Sequence, residues 1–406
     1  MASSRKIIND PIYGFINIDD ELIFQLIEHP YFQRLRRIRQ LGLTGLVYPG
    51  ATHTRFHHAI GAMHLMHRAI AVLRNKGVEI TEDEALSAKA AILLHDIGHG
   101  PFSHVLEDTI LIGVHHEQLS LAYMHRLNGE FNGALEQAIQ IFSDTYPKRF
   151  LHQLVSSQLD MDRLDYLTRD SFYTGVSEGI VGLERIIHML NVREDQLVID
   201  EKGVYSVEKF IVARRLMYWQ VYLHKTALAA DGLLLSIMRR ARYLVDGGKE
   251  VFMLPKLAYF LKNRIQAHEL SSDPTILDRF NELDDIELYA CIKYWKDDVD
   301  PVLAYLCNSL INRKLPATRF QETPFSDEQK DAEIKQLSGR FNWTEEDCSF
   351  LVYSGLAANE AYDSNSEKIL INRKNGELMD LVHASDNYNF SSPNRVVRKY
   401  FLCTPK

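Results

Sequence analysis

The chain has 406 residues, of which 46% are apolar and 25% charged, and this is the composition of a globular protein with a sizeable core. It excludes a disordered or collagen-like chain, and no apolar run is long enough to cross a membrane. Since 54 acidic residues outnumber 46 basic ones and leave a net charge of −8, we do not expect nucleic acid as a primary partner. The first eleven residues lack the apolar segment of a signal peptide, so we expect a cytoplasmic protein.

Helical patterns dominate the chain in its first three quarters. Apolar residues recur at three- and four-residue spacing from Asp19 to about Asn312, including one long stretch from Val207 to Val245. Short β signals flank this region over Lys6 to Ile18 and over Leu197 to Val207, the second with a turn at residues 201–203. The sequence therefore predicts a mainly α core over residues 1–313, with short β hairpins.

The pattern changes from about Lys314 to alternating apolar and polar segments. The predicted strands are Leu315–Phe320, Phe350–Tyr353, Lys368–Asn372, Leu378–His383 and Val396–Cys403. Asn375-Gly376 is a strong hairpin signal, and a helix is expected around Ser326 to Ser338. We expect a small C-terminal α/β subdomain over residues 314–406. Four dispersed cysteines without C-x-x-C spacing predict reduced, structural thiols.

Histidines are crowded into one part of the chain. Eleven of the 17 lie between His53 and His125, where an even distribution would place about three. Histidine is the commonest metal ligand and the usual acid or base near neutral pH. The crowding therefore predicts a functional site, which a lone histidine would not.

The central motif, residues 95–100, reads His-Asp-Ile-Gly-His-Gly at the end of an apolar run. Adjacent helical side chains point about 100° apart, so a neighbouring His and Asp can share a metal ion more readily than a packing partner. Nitrogen and carboxylate ligands suit Mg, Mn, Fe or Zn. Further candidates are His58 and Asp162. Each alone also fits a plainer interpretation, a core or surface histidine and a solvated helix face on which Asp165 pairs with Arg169.

Four blocks of sequence, taken in order, resemble the HD-domain deoxynucleoside triphosphate (dNTP) triphosphohydrolases. They are Phe32–Gly42, Pro49–His58, His95–His104 and Asp162–Asp170, and the likeness covers roughly residues 5–245. The resemblance implies an HD-domain helical core with its motifs between residues 28 and 245. It also implies one divalent metal ion with four ligands, His58, His95, Asp96 and Asp162.

The same resemblance implies a reaction. Water activated by the metal attacks the α-phosphorus and releases inorganic triphosphate and a deoxynucleoside. By position the general acid is His104, and Glu107 stands where relatives carry an Asp paired with that histidine. His99 and His116 are further catalytic candidates, although His115 and His116 also fit a polar helix start.

A triphosphate requires local cations in a protein of negative net charge. The available residues are Arg55, His99, His104, His116, Arg163, Arg214 and Lys225. Asp162, Tyr166 and Asp170 fall at i, i+4 and i+8, so they share one helix face that could meet a nucleotide.

Sugar recognition is implied for three residues. Gln40 and Leu41 match positions that contact the deoxyribose in relatives, and Tyr222 matches an aromatic residue that excludes a 2′-hydroxyl. Leu41 and Tyr222 are equally compatible with core packing. The positions of Tyr218 and Leu223 depart from the family pattern, so the base preference does not transfer.

A regulatory site is a further hypothesis. Gln33 and Arg36 match residues that bind a nucleotide activator between subunits in some relatives, with Glu28 where an Asp is usual. A solvated basic helix explains the same residues. A nucleotide activator and a homo-oligomer, dimer or tetramer, are therefore expectations from the resemblance.

Two other functions stay open. Another HD-family phosphohydrolase would act on nucleoside monophosphates, cyclic nucleotides or alarmones. A nucleic-acid-binding or regulatory protein with a vestigial site is the third possibility, and the intact set of two His and two Asp argues against it.

Overall fold

The computed structural model describes residues 6–359, 362, 367–386 and 397–406, without the side chains of Ser103, His104, Asp108, Ser271 and Ser272. Helices account for most of it, which confirms the mainly α fold class. The α-helices are α1 (Glu21–Glu28), α2 (Pro30–Gln33), α3 (Arg55–Asn75), α4 (Glu82–Leu94), α5 (Ser103–Ile110), α6 (His116–Glu130), α7 (Glu136–Phe142), α8 (Arg149–Val155), α9 (Met161–Thr174), α10 (Leu183–Met189), α11 (Val204–Met217), α12 (Lys225–Asp246), α13 (Pro255–Lys262), α14 (Ala267–Ser272), α15 (Pro274–Asn281), α16 (Asp285–Trp295), α17 (Pro301–Ile311), α18 (Asp327–Phe341), α19 (Glu345–Ser349) and α20 (Leu381–Ala384).

The strands within the described ranges form three small sheets. They are β1 (Lys6–Asp10), β2 (Gly14–Ile18), β3 (Leu190–Arg193), β4 (Gln196–Asp200), β5 (Ala317–Gln321), β6 (Tyr353–Asn359), β7 (Leu370–Asn372), β8 (Leu378–Asp380) and β9 (Val397–Thr404). The sheet orders are β1-β2, β3-β4-β7-β8 and β5-β9-β6. All neighbours are antiparallel except β4 and β7, which are parallel.

The core is built around α3, which packs against both α4 and α9. Local sequence explains how α4 begins. Thr81 accepts a hydrogen bond from the backbone N–H of Glu84 (3.1 Å), and the Glu84 carboxylate accepts one from the N–H of Thr81 (2.8 Å). Both α3 and α4 are buried along most of their lengths, so neither shows a single apolar stripe.

Four predicted elements differ from the structure. The strand predicted over Phe350–Tyr353 begins only at Tyr353, as β6, because Phe350 still caps α19. The strand predicted over Leu378–His383 ends at Asp380, because the Asp380 side chain caps the start of α20.

The second β pair lies earlier than predicted, because β3 and β4 turn at Glu194 and Asp195, while residues 201–203 form a 3₁₀ turn that leads into α11. The stretch predicted as one long helix divides into α11 and α12 at a π-helical segment, Tyr218–Tyr222. Apolar spacing cannot reveal this division, since the pattern continues across it.

The predicted C-terminal elements are largely present. The β7-β8 hairpin spans Asn375-Gly376, and α18 begins after its N-cap Ser326. However, β7 pairs with β4, so the C-terminal segment completes a sheet begun within residues 1–313. Arg240 of α12 also donates to Asp300 (2.7 Å) and Asp347 (2.9 Å), which links α12 to the helices on both sides of residue 314.

The four cysteines are buried and free, in agreement with the prediction. Among the described residues, no helix has both the length and the apolar character needed to cross a membrane.

Gly61 in α3 offers a test of the tightest helix contact. A Cβ atom there would lie 2.1 Å from Asp165 Oδ1 and 2.2 Å from Arg169 Nη2, and both side chains are fully buried. We therefore expect Gly61→Ala to lower the free energy of unfolding by about 2 to 4 kcal/mol, measured by urea denaturation.

Gly339→Ala in α18 is the matched control, because no atom lies within 4 Å of its Cβ position. It should be neutral or stabilising, by up to about 1 kcal/mol. Equal effects of the two substitutions would contradict the packing argument.

Candidate active site

Three separated helices deliver the predicted metal ligands to one place. His58 lies in the first turns of α3, His95 and Asp96 directly follow α4, and Asp162 is the second residue of α9. Because α3 packs between α4 and α9, these ends meet. The structure thus brings together side chains that are up to a hundred residues apart in sequence.

The distances are those of a shared centre. His58 Nε2 lies 3.0 Å and His95 Nε2 lies 3.4 Å from Asp162 Oδ1. His58, His95 and Asp162 place one ligand atom each within 4.8 Å of one another, whereas Asp96 forms a second such group with His99 and His116. Asp96 adjoins the first group, with Oδ1 3.3 Å from His95 Nε2 and Oδ2 3.8 Å from His58 Nε2. Both Nε2 atoms are buried without a hydrogen bond of acceptable geometry.

The other ring nitrogens are already used. His58 Nδ1 donates to Asp165 Oδ2 (2.8 Å), and His95 Nδ1 donates to the carbonyl of Ile92 (2.6 Å). Since a carboxylate or carbonyl oxygen can only accept, these bonds leave the Nε2 lone pairs directed at the shared point. Two imidazole nitrogens and two carboxylates fit a divalent cation of intermediate hardness.

Electrostatics at this point favour positive charge. Burial opposes protonation of His58, but Asp162 and Asp165 outweigh it and raise its pKa to about 10. Burial likewise opposes ionisation of Asp162 and Asp96, yet the neighbouring histidines hold the pKa of each carboxyl below its usual range. Carboxylates that stabilise a proton here also stabilise a metal cation.

Predicted phosphate ligands line one side of the centre. Arg55 Nη1 donates to Asp96 Oδ2 (2.5 Å), and His99 Nε2 lies 3.2 Å from Asp96 Oδ1. The His99 ring stacks on that of His116, with centroids 3.8 Å apart. Burial first, and then the charge of Arg55, hold the pKa of His99 well below its usual value.

His116 is oriented by a carboxylate. Its Nδ1 lies 2.6 Å from Glu107 Oε1, which also accepts from its backbone N–H (2.8 Å). The carboxylate of the next residue, Glu117, is farther, 3.7 Å from Nε2. His104 belongs to α5, but its side chain lies outside the described ones, so the predicted His104–Glu107 pair is not placed.

The predicted sugar-binding residues lie on another side. The Tyr166 ring is 6.5 Å from that of His58 and 6.2 Å from that of Tyr222, centroid to centroid. Tyr222 donates its hydroxyl to Asp170 Oδ2 (2.8 Å). A continuous path of side chains therefore leads from the metal ligands through Tyr166 to Asp170.

The other two predicted sugar-binding residues are Gln40 and Leu41. The backbone N–H of Gln40 donates to the carbonyl of His53 (3.1 Å), and its buried Oε1 has no hydrogen-bonding partner among the described residues. Leu41 is partly buried against the core.

The other predicted phosphate-binding cations are Arg163, Arg214 and Lys225, and each has a different environment. Arg163 lies 3.3 Å from Asp160 rather than from a metal ligand. Arg214 is buried, with its guanidinium 5.8 Å from the Tyr218 ring centre. Lys225 is exposed at the first position of α12.

The predicted regulatory residues form two local contacts. Arg36 Nε donates to Gln33 Oε1 (2.8 Å), and its guanidinium lies over Phe56 at 3.6 Å from the ring centre. Glu28 pairs with Lys6 at 3.3 Å. These residues lie in and beside α1 and α2, away from the metal ligands in the chain.

Two residues that support the site, His53 and Asp165, were not predicted from the sequence. His53 is buried, donates to Asp170 Oδ1 (2.7 Å) and stacks on Tyr173, although it belongs to the quoted block 49–58. Asp165, interpreted as an ordinary partner of Arg169, also accepts from His58. The D-x-x-D spacing in α9 was an available signal, because i and i+3 share a helix face.

Comparison with known proteins agrees with this geometry. Residues 55–170 match the HD domain family and residues 181–249 the HD associated region. The crystal structure of a phosphohydrolase from Bacteroides thetaiotaomicron VPI-5482 is similar to 99% of this chain, which covers 100% of that one, with a TM-score of 0.96 and 50% sequence identity. The uncharacterized protein YwfO of Bacillus subtilis (strain 168) is 32% identical over 397 residues, 94% of this chain and 88% of that protein.

A named enzyme is similar over a shorter part. Human deoxynucleoside triphosphate triphosphohydrolase SAMHD1 is 29% identical over 347 residues, which are 72% of this chain and 55% of the relative. The chain thus spans about half the length of that enzyme. The full-length similarity and the HD domain match, with the ligand geometry above, show that the chain belongs to the HD-domain family of phosphohydrolases.

Proposed function

We propose that the protein is a metal-dependent dNTP triphosphohydrolase, which hydrolyses a dNTP to a deoxynucleoside and inorganic triphosphate. One observation carries the proposal. A single face of α9 presents a metal ligand, Asp162, then Tyr166, then Asp170 bonded to Tyr222. In this proposal the metal-ligand end of α9 meets the phosphates, and the tyrosines farther along the helix meet the sugar. The similarity to human SAMHD1 supports the same substrate class.

We propose His58, His95, Asp96 and Asp162 as the residues that hold a divalent cation, of which Mg, Mn, Fe and Zn are candidates. When bound, such a cation lowers the pKa of water and withdraws charge from phosphoryl oxygens. His58 Nε2 and His95 Nε2 are buried beside Asp162, whose side chain is 29% exposed.

Local cations then hold the phosphate chain. Arg55 donates a hydrogen bond to Asp96. The stacked rings of His99 and His116 lie on the same side of the site. Arg163, on α9 beside Asp162, is a further phosphate ligand in this proposal. Arg55 and Arg163 supply local positive charge in a protein of net charge −8, and His99, whose pKa is lowered, contributes as a neutral hydrogen-bonding group.

The leaving 5′-oxygen needs a proton. We propose His104 as the general acid, since a protonated imidazole can give up a proton at this step. His116, whose Nδ1 lies 2.6 Å from Glu107 Oε1, is a further phosphate ligand in this proposal. Its orientation by a carboxylate is the arrangement that fixes an imidazole for such a role.

The substrate class can be tested directly. The purified protein is incubated in Mg²⁺ or Mn²⁺ with each dNTP and each NTP, and separately with nucleoside monophosphates, cyclic nucleotides and alarmones, and the products are separated by chromatography. Triphosphate and deoxynucleoside are expected. Release of orthophosphate, or turnover only of nucleoside monophosphates, cyclic nucleotides or alarmones, would replace this proposal by another HD phosphohydrolase activity.

We also propose a nucleotide activator and a homo-oligomer, from the match of Glu28, Gln33 and Arg36 to the regulatory residues of relatives. Initial rates with one dNTP in the presence of a second test for a nucleotide activator. Rates that merely add or compete would refute activation, and light scattering with and without nucleotide reports the homo-oligomer.

Removal of a metal ligand should empty the site and leave the fold. We expect His95→Ala to lower bound metal, measured by elemental analysis after dialysis, to near zero, and to reduce hydrolysis at least 100-fold. His125→Ala, an exposed histidine on α6, serves as the matched control and should retain both. Full metal retention by His95→Ala would refute the ligand assignment.

Tyr222 should exclude ribonucleotides by its ring rather than by its hydroxyl. We expect Tyr222→Ala to reduce the ratio of dNTP to NTP kcat/KM by about 10-fold or more, because the wall beside the sugar is removed. Tyr222→Phe keeps the ring and should keep most of the selectivity, although its bond to Asp170 is lost. If Phe and Ala variants lose selectivity equally, the steric explanation is wrong.

A further inference from the structure

The N-terminal hairpin of β1 and β2 lies outside the HD domain match, which begins at residue 55. Its turn is fixed by Asp10, whose Oδ1 accepts backbone N–H groups from Ile12 (2.9 Å) and Tyr13 (3.0 Å). One carboxylate oxygen therefore belongs to the turn. The other, Oδ2, faces the protein interior, where the Asp10 side chain is 3% exposed.

That second oxygen begins a line of buried charged groups. Arg169 Nη1 donates to Asp10 Oδ2 (2.8 Å). On its other side, Arg169 Nε and Nη2 donate to the two oxygens of Asp165 (2.9 and 3.0 Å). Asp165 Oδ2 in turn accepts from His58 Nδ1 (2.8 Å). Four side chains thus connect the hairpin turn to the ring whose Nε2 faces the metal centre.

The line leaves little room for adjustment. Arg169, Asp165 and His58 are fully buried, so a missing partner cannot be replaced by bulk water. Helix α3 blocks movement on one side, because Gly61 leaves space for Asp165 and Arg169 only by lacking a Cβ. The guanidinium of Arg169 is therefore held by Asp165, by α3 and by Asp10 of the hairpin.

We propose that Asp10 and Arg169 are positioning residues for the metal ligand His58, and that docking of the N-terminal hairpin and metal binding stabilise each other. A two-stranded hairpin is marginal alone, so its docking depends on contacts such as this one. Coupling between two sites is reciprocal by thermodynamic necessity. The inference rests on the metal site of the proposed function, but not on a nucleotide as substrate.

The first test measures metal affinity without turnover. Metal-free protein is titrated with Mn²⁺, and free Mn²⁺ is followed by its EPR signal. Asp10→Asn keeps the turn acceptor but presents an amide donor to Arg169, and we expect the Kd for Mn²⁺ to rise about 10-fold, the lower end of the loss seen when supports of metal ligands are changed.

Asp20→Asn is the matched control. Asp20 also anchors the N-terminal segment, through an ion pair with Lys89, which is not a member of the line to His58. Its Kd for Mn²⁺ should stay within about twofold of wild type. An unchanged Kd in folded Asp10→Asn, or an equal change in Asp20→Asn, would overturn the coupling.

Arg169→Lys provides a second readout that general loosening would not mimic. Lysine keeps the charge but cannot bridge two carboxylates in the same geometry. If Asp10 acts only through Arg169, the double variant Asp10→Asn with Arg169→Lys should bind Mn²⁺ no more weakly than Arg169→Lys alone. Losses that multiply would show that Asp10 acts by another route and would refute the proposal.

The reciprocal effect needs no variant. Hydrogen exchange of wild-type residues 6–18 should slow when Mn²⁺ is bound, and exchange of the β5-β9-β6 sheet should not change. Unchanged exchange in the hairpin would contradict the coupling. Mn²⁺ binding with this protection but no dNTP hydrolysis would refute the proposed substrate and leave the present inference intact.

Discussion

The buried carboxylate of Asp165 connects the candidate metal centre to the rest of the fold. It accepts hydrogen bonds from His58 on one side and from Arg169 on the other, and none of these side chains reaches solvent. Burial alone would raise the pKa of Asp165, but its two partners lower it to about 2. A charge in this position is stable only while both partners stay in place, so α3, α9 and the hairpin are held in one arrangement.

The site built on this support has two chemically distinct sides. Arg55 and the stacked rings of His99 and His116 give one side hydrogen-bond donors for phosphate oxygens. Tyr166 and Tyr222 give the other side aromatic surface with a fixed carboxylate at its end. In the proposed function, a protein with an excess of acidic residues would bind a polyanion through attraction that is local and partly shielded from water.

Several features depended on packing between distant segments. The β4-β7 pairing joins strands from the two predicted parts of the chain, and nothing in either strand alone specifies a parallel neighbour. The π-helical segment before α12 interrupts a continuous apolar pattern and places Tyr222 beside Tyr166. Periodicity reports which residues are buried, but it does not report such a change in helical geometry.

The sequence by itself determined the helical fold class, the capped start of α4 and the four metal-ligand candidates, because periodicity, capping and the His95-Asp96 adjacency are local properties. It did not determine which carboxylates support those ligands. Asp165 and Arg169 form the same i,i+4 pair on a solvated helix and in a core, and only the packing of α3 on α9 decides between them. Only the tertiary structure brings Asp10 to Arg169, because that ion pair spans 159 positions and depends on where the hairpin docks.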